Sequence, residues 1–138
     1  MDFSELDTLI ASTDQRDIRP DLLLELQQRI AAQRYYLIDV VRKLSREAGI
    51  AEVDRKSAIS RVKLTKRAEH GTSIAQATEQ AEQDPEIIRL RSAEVFAAAD
   101  YEAAKLKLHA SGDVLVSLAQ RISSSRDDRR ESYTHQKP

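Results

Sequence analysis

The segment Pro85–Ser125, PEIIRLRSAEVFAAADYEAAKLKLHASGDVLVSLAQRISSS, decides the fold. It has no proline after Pro85, and its single glycine is Gly112. Apolar residues recur at alternating steps of three and four, and nine of the eleven positions in this row are apolar or tyrosine: Ile87, Leu90, Glu94, Ala97, Tyr101, Ala104, Leu108, Ser111, Leu115, Leu118 and Ile122. This spacing places one side of an α-helix against another helix. Forty residues would span about 60 Å, so the segment predicts one long C-terminal helix.

A second apolar row runs beside the first: Ile88, Val95, Ala99 and Leu106. One row can pack on the chain's own earlier helices, and the other then requires a further partner. The two rows therefore predict self-association through the last helix. The candidate interface residues come from both rows: Ile88, Val95, Ala99, Tyr101, Leu106, Leu108, Leu115, Leu118 and Ile122.

The earlier sequence predicts three further helical segments. A short helix over residues 3–11 precedes a polar connector, and Pro20 suits the first position of the next helix because its missing N–H is unpaired there anyway. That helix is expected to end at Gly49, and its apolar face contains Leu23, Leu26, Ile30, Gln33, Leu37, Val40 and Leu44. A separate segment, Ile50–His70, follows and stops at Gly71.

Local signals predict where the later helices begin. Ser73 with Gln76 three residues on is the pattern of a capping box. Asp84 then caps the last helix, and Pro85 occupies its first turn. We therefore expect a short helix between Ser73 and Asp84.

Composition agrees with a helical protein, since charged residues make up 33% of the 138 residues and aromatic residues only 4%. We predict an all-α fold, an elongated helical hairpin or bundle with coiled-coil-like packing. Its expected parts are a short N-terminal helix and connector (residues 1–19), a helical bundle (residues 20–125) and a polar, partly disordered tail (residues 126–138).

The net charge of −1 conceals blocks of opposite sign. Residues 42–67 contain nine bases and three acids, a balance of +6, whereas residues 68–104 contain eight acids and two bases, a balance of −6. Residues 1–21 contain six acids and two bases, a balance of −4. A basic block of this kind is a candidate polyanion site, and ordinary solvated helix faces are the alternative.

Within the basic block, Lys56, Ser60, Lys63 and Arg67 share one side of a helix, with Ile59 and Val62 on the inner side. A row of cations backed by an apolar face is suited to phosphate contact, because each neutralised phosphate releases counterions. The candidate nucleic-acid-binding residues are Arg55, Lys56, Arg61, Lys63, Lys66 and Arg67. Tyr35 and Tyr36 are the only adjacent aromatic pair, and at least one of them is expected to pack inward.

The sequence predicts no catalytic residues, no metal site and no cofactor. Cysteine is absent, and the histidines His70, His109 and His135 are far apart, without metal-ligand spacing. His70 instead suits the C-terminal end of a helix, where a cation is favoured. No apolar run approaches the roughly 18–20 residues of a membrane span, so the expected location is cytoplasmic.

The layout of residues 35–130 resembles the UvsY-type recombination mediators of T4-like phages. The likeness rests on the tyrosine pair before Leu37–Leu44, the segment Lys63-Leu-Thr-Lys66-Arg67 leading to Gly71, the acidic residues Glu79–Asp84, and a final helix ending in Ser117-Leu-Ala-Gln-Arg121-Ile122. The chain lacks that family's further aromatic residues in the middle and final helices. The resemblance implies homo-oligomeric rings, loading of a recombinase on single-stranded DNA, DNA contact through Lys63, Lys66 and Arg67, and a host-cell interior location.

Two functions follow as hypotheses. The first is a non-catalytic, homo-oligomeric single-stranded DNA-binding protein that acts as a recombination mediator or assembly factor, with a recombinase or other protein as a further partner. The alternative is a helical structural or adaptor protein, for virion or complex assembly, that binds a partner protein and no nucleic acid.

Overall fold

The computed structural model describes the backbone of residues 2–135 and the side chains of residues 2–131. Over that range the chain forms four α-helices and no strand: α1 (Ser4–Ser12), α2 (Pro20–His70), α3 (Ile74–Gln83) and α4 (Pro85–His135). The predicted all-α fold is confirmed. The chain divides into two compact units, residues 1–39 with 105–138 (unit 1) and residues 40–104 (unit 2).

The predicted helix starts are confirmed in their hydrogen bonds. At α3 the Gln76 N–H donates to Ser73 Oγ at 3.2 Å, and the Ser73 N–H donates to Gln76 Oε1 at 3.4 Å. At α4 the Glu86 N–H donates to Asp84 Oδ1 at 2.9 Å. These caps satisfy backbone donors that the first helical turn leaves unpaired.

The predicted helix end at Gly49 is wrong, because α2 runs without interruption from Pro20 to His70. A glycine inside a helix costs only about 0.5–1 kcal/mol relative to alanine, and alanine and glutamate residues flank Gly49 on both sides. Buried Leu44 and Ala58 hold the helix on either side of it. Gly71 does end α2, and its φ of 61° is the left-handed conformation that glycine adopts without steric cost.

Helix α4 ends ten residues later than predicted, at His135 instead of Ser125. Residues 126–135, which were expected to belong to a partly disordered tail, are therefore helical, and residues 136–138 lie outside the described part. The physical reason is cooperativity. Extending an existing helix adds one hydrogen bond per residue and needs no new nucleus, and no proline or glycine interrupts residues 113–137.

Unit 1 has a core of large aliphatic side chains from three helices. Within it α2 and α4 run antiparallel, and the short helix α1 covers them with Leu6 and Leu9. The buried α2 residues are seven positions apart, which is the heptad spacing of helix–helix packing. Within the described residues, the buried aliphatic residues of unit 1 are Leu6, Leu9, Leu23, Ile30, Leu37, Leu118 and Ile122.

A polar cluster interrupts the core of unit 1. The Arg34 Nε–H donates to Ser111 Oγ at 3.1 Å and to the Leu108 carbonyl oxygen at 3.3 Å, and the fully buried Ser111 hydroxyl also donates to that carbonyl at 2.8 Å. A Cβ on Gly112 would lie 3.0 Å from an Arg34 guanidinium nitrogen. The glycine therefore leaves space for arginine against the α4 backbone.

Charged contacts attach the N-terminal part of unit 1. Lys107 pairs with Asp7 on α1. Arg121 donates to the carbonyl oxygens of Thr13 and Gln15, both at 2.8 Å, in the connector that follows α1. These bonds fix the connector on α4.

Unit 2 is built mainly on alanine. Its buried aliphatic residues, within the described part of the chain, are Leu44, Ala58, Ala77, Ala81, Ile87 and Ala104. Ala77 and Ala81 are the buried side of α3. Small side chains allow helices to approach closely, and each buries little apolar area.

Candidate nucleic-acid interface

The six predicted basic residues lie on the second half of α2, within unit 2. Lys56, Lys63 and Arg67 lie on the side of the helix opposite the buried Ala58. Arg61 and Lys66 instead line a groove together with Ala58. Lys56, Arg61 and Arg67 are exposed, whereas Arg55, Lys63 and Lys66 are half-buried. Ile59 and Val62 are also half-buried.

Arg55 is held by an acidic residue of the same unit. Its guanidinium donates to the Glu94 carboxylate through Nε and through a second nitrogen. The hydrogen bond with Glu94 raises the pKa of Arg55 further above its ordinary value. A half-buried bidentate pair of this kind fixes the two helices against each other, so Arg55 is not a free phosphate ligand.

Lys56 is also paired, although it is exposed. Its Nζ donates to Glu52 Oε1 at 2.6 Å, one helical turn earlier. The bond from Lys56 lowers the pKa of the Glu52 carboxyl below its usual range. An exposed pair of this type contributes little energy, so Lys56 can exchange Glu52 for a phosphate at small cost.

The other four basic residues make no ion pair or side-chain hydrogen bond within the described residues: Arg61, Lys63, Lys66 and Arg67. Their charges therefore remain available. Arg61 and Lys66 also line a groove of about 270 Å³ together with Asp84 and Glu86 from the start of α4. The two carboxylates oppose a polyanion at that edge of the basic segment.

Tyr35 and Tyr36 depart from the sequence prediction, since neither side chain packs inward. Their exposures are 80% and 63%. Leu37 occupies the heptad position that faces the core and is 1% exposed. Because successive helical residues point in different directions, Tyr35 and Tyr36 point outward. Two adjacent, uncovered aromatic rings are thus found on unit 1.

The predicted self-association residues divide into two groups. All four residues of the second row are exposed: Ile88, Val95, Ala99 and Leu106. Leu118 and Ile122 are instead buried in the core of unit 1, while Tyr101, Leu108 and Leu115 are half-buried. Leu118 and Ile122 of the first row therefore pack within the chain.

Sequence reasoning missed Phe96, which is 70% exposed and lies next to Val95 on the outer side of α4. Phe96 is outside both apolar rows, because the alternating three- and four-residue steps do not reach it. A count of all large apolar residues on the side opposite the first row would have included it. It enlarges the exposed apolar surface of unit 2.

The described residues contain no cluster of three metal-ligating side chains. His70 is the last residue of α2, as predicted, and its Nε2 lies 3.9 Å from Glu69 Oε2. In residues 2–135 no helix has a segment apolar enough to cross a membrane.

The fold and the exposed surfaces define a class, an all-α protein of two long and two short helices with a basic segment on one long helix. No family model, curated protein or solved structure matches the chain. The likeness of residues 35–130 to the UvsY-type mediators therefore stays a prediction.

Proposed function

We propose that the chain is a non-catalytic, self-associating protein that binds single-stranded DNA and acts as a recombination mediator or assembly factor. The observation that carries the proposal is the set of four basic side chains on α2, Arg61, Lys63, Lys66 and Arg67, that have no partner within the described chain. Unpaired cations along one helix are the contacts that a phosphate backbone requires.

The exposed Tyr35 and Tyr36 support a preference for single strands. Stacking of a nucleobase on an aromatic side chain contributes about 1–3 kcal/mol per base and is open only to unpaired bases. Tyr35 and Tyr36 are two of the six aromatic residues of the chain, and their rings are adjacent and exposed. They lie on unit 1 and form a contact distinct from the basic segment.

The outer face of α4 supports self-association. In unit 2, Ile88, Val95 and Phe96 are 51%, 63% and 70% exposed. Unit 2 contains eleven bases and eleven acids, 11 − 11 = 0, so two copies can associate through it without net electrostatic repulsion. A second copy is therefore the occupant that fits best. Assembly would also place several basic segments along one strand.

Fluorescence anisotropy with a single-stranded oligonucleotide tests the DNA contact. The double variant K63Q/R67Q should lower affinity and reduce the slope of log K against log salt by about 1.4, since each single-strand phosphate contact contributes about 0.7. The control K43Q removes a lysine that is paired with Glu47 and is not among the six candidate residues, and a smaller change is expected. Absence of binding at about 50 mM salt would contradict the proposal.

A mass measurement in solution tests the assembly. The wild type should exceed the monomer mass of 15.6 kDa, and V95S/F96S should return it towards the monomer without loss of helicity. A wild-type monomer at all concentrations would remove self-association from the function.

An adaptor protein that binds a partner protein is the second candidate, and the groove beside the basic segment favours it. Asp84 and Glu86 lie in the same groove as Arg61 and Lys66, and a mixed-charge groove suits a protein surface better than a polyanion. Indifference to nucleic acid in the anisotropy titration, together with a stable complex in a pull-down that R61E/K66E abolishes, would decide for this candidate.

A further inference from the structure

A pocket of about 400 Å³ lies in unit 1, where the connector between α1 and α2 meets the second half of α4. Two arginines, three serines and one glutamine supply its polar lining, and Asp128 is the only carboxylate among the described lining residues. Ile18, Pro20 and Leu23 form its apolar side. Its volume lies within the range of small-molecule sites, and several polar groups converge on it.

Arg121 is held in place at this pocket. Both terminal guanidinium nitrogens donate to backbone carbonyl oxygens, to Thr13 and to Gln15, at 2.8 Å. These bonds occupy two of the five N–H donors of the group and leave three for a ligand. The positive charge is thus positioned beforehand, which lowers the entropy cost of binding.

Arg16 adds a second guanidinium from the connector. It is exposed and makes no ion pair or side-chain hydrogen bond within the described residues. Ser117 and Ser124 lie one turn before and one turn after Arg121 on α4, so their hydroxyls share its face. Two arginines against one aspartate give the lining a balance of +1.

We propose that this pocket binds an organic phosphate of nucleotide size. Guanidinium groups match the geometry of phosphate oxygens, and serine hydroxyls add further donors. The apolar side, with half-buried Ile18 and Pro20, would accommodate the organic part, which inorganic phosphate lacks. The pocket lies wholly in unit 1, so the proposal does not depend on the basic segment of α2.

Calorimetric titration of the full chain with deoxyadenosine monophosphate, and with deoxyadenosine as the control without phosphate, tests the proposal. The monophosphate should bind and the nucleoside should not. R16Q should weaken binding roughly tenfold, the worth of one charge-assisted hydrogen bond. D128N should tighten binding, a gain that a purely structural role of these residues does not predict. Both residues are exposed, so neither change should alter the thermal midpoint.

A second pair of probes distinguishes the source of the phosphate. Preference for a 5′-phosphorylated oligonucleotide over the same oligonucleotide with a 5′-hydroxyl, lost in R16Q, would support the proposal with a strand end as ligand. Binding of the monophosphate without that preference would support it with a free nucleotide as ligand. Equal affinity for the monophosphate and deoxyadenosine, or insensitivity to both R16Q and D128N, would overturn it.

Discussion

Unit 1 and unit 2 share the same two long helices but fill their interiors differently. Among the described residues, unit 1 buries seven large aliphatic side chains between α1, α2 and α4. Unit 2 buries two, Leu44 and Ile87, and completes its interior with four alanines. Burial of one large aliphatic side chain contributes about 1.5–3 kcal/mol, so the two interiors differ substantially in apolar stabilisation.

The large apolar residues of unit 2 are found on its surface. Ile50, Val53 and Leu64 of α2 are each more than half exposed, as are Val95 and Phe96 of α4. The comparison indicates that apolar burial contributes more to the stability of unit 1 than to that of unit 2.

The largest expected effect tests how far the stability of unit 2 depends on its two large buried side chains. Ile87→Ala removes one of its two large buried side chains and should lower the free energy of unfolding by about 2–5 kcal/mol. Ile88→Ala is the matched control, since the neighbouring side chain is 51% exposed and that of Ile87 is 0% exposed. It should change the free energy of unfolding of the monomer by less than about 0.5 kcal/mol.

Urea unfolding at low protein concentration gives both values. Hydrogen exchange at the α3 amides would show whether unit 2 is the part that opens. Equal losses for the two variants would mean that the difference in burial has no energetic consequence, and the contrast between the units would fail.

The second prediction tests the close approach that alanine permits. Ala77 is completely buried on the inner side of α3. Ala77→Leu should therefore force α3 away from the rest of unit 2 and lower the free energy of unfolding by about 1–3 kcal/mol. Ala75→Leu, on the exposed side of the same short helix, should stay within about 0.5 kcal/mol. Thermal unfolding of the two variants makes the comparison. An unchanged thermal midpoint for Ala77→Leu would show that unit 2 is loosely packed.

The heptad spacing made most of these interiors predictable. All eleven positions of the first α4 row are buried or half-buried, including its polar members Glu94 and Ser111. Periodicity alone could not explain why those two are polar, because their partners Arg55 and Arg34 are distant in sequence. The same limit applies to the binding site, since the residue pattern located the basic segment but not which cations are already paired.

The third prediction concerns the polar cluster of unit 1. Ser111→Ala leaves the Arg34 Nε–H with the Leu108 carbonyl as its one remaining acceptor among the described contacts, and should cost about 0.5–1.5 kcal/mol. Ser123→Ala, at an exposed position of α4, is the control and should change little. Chemical denaturation is sufficient to measure both. An unchanged Ser111→Ala variant would mean that the core of unit 1 depends on its aliphatic residues alone.

The smallest expected effect separates two glycines of unit 2 that the sequence presented as equivalent helix ends. Gly49 lies inside α2 with nothing within 4 Å of a Cβ placed on it. Gly49→Ala should therefore stabilise the protein by about 0.5–1 kcal/mol, because it restricts the unfolded chain and adds no clash. Gly71 also has open space around it, but its φ of 61° would strain any other residue, so Gly71→Ala should destabilise by about 1 kcal/mol. Thermal midpoints that move in opposite directions would confirm that backbone conformation, and not available space, distinguishes the two positions. If Gly49→Ala also destabilised the protein, α2 would not be continuous at this point in solution.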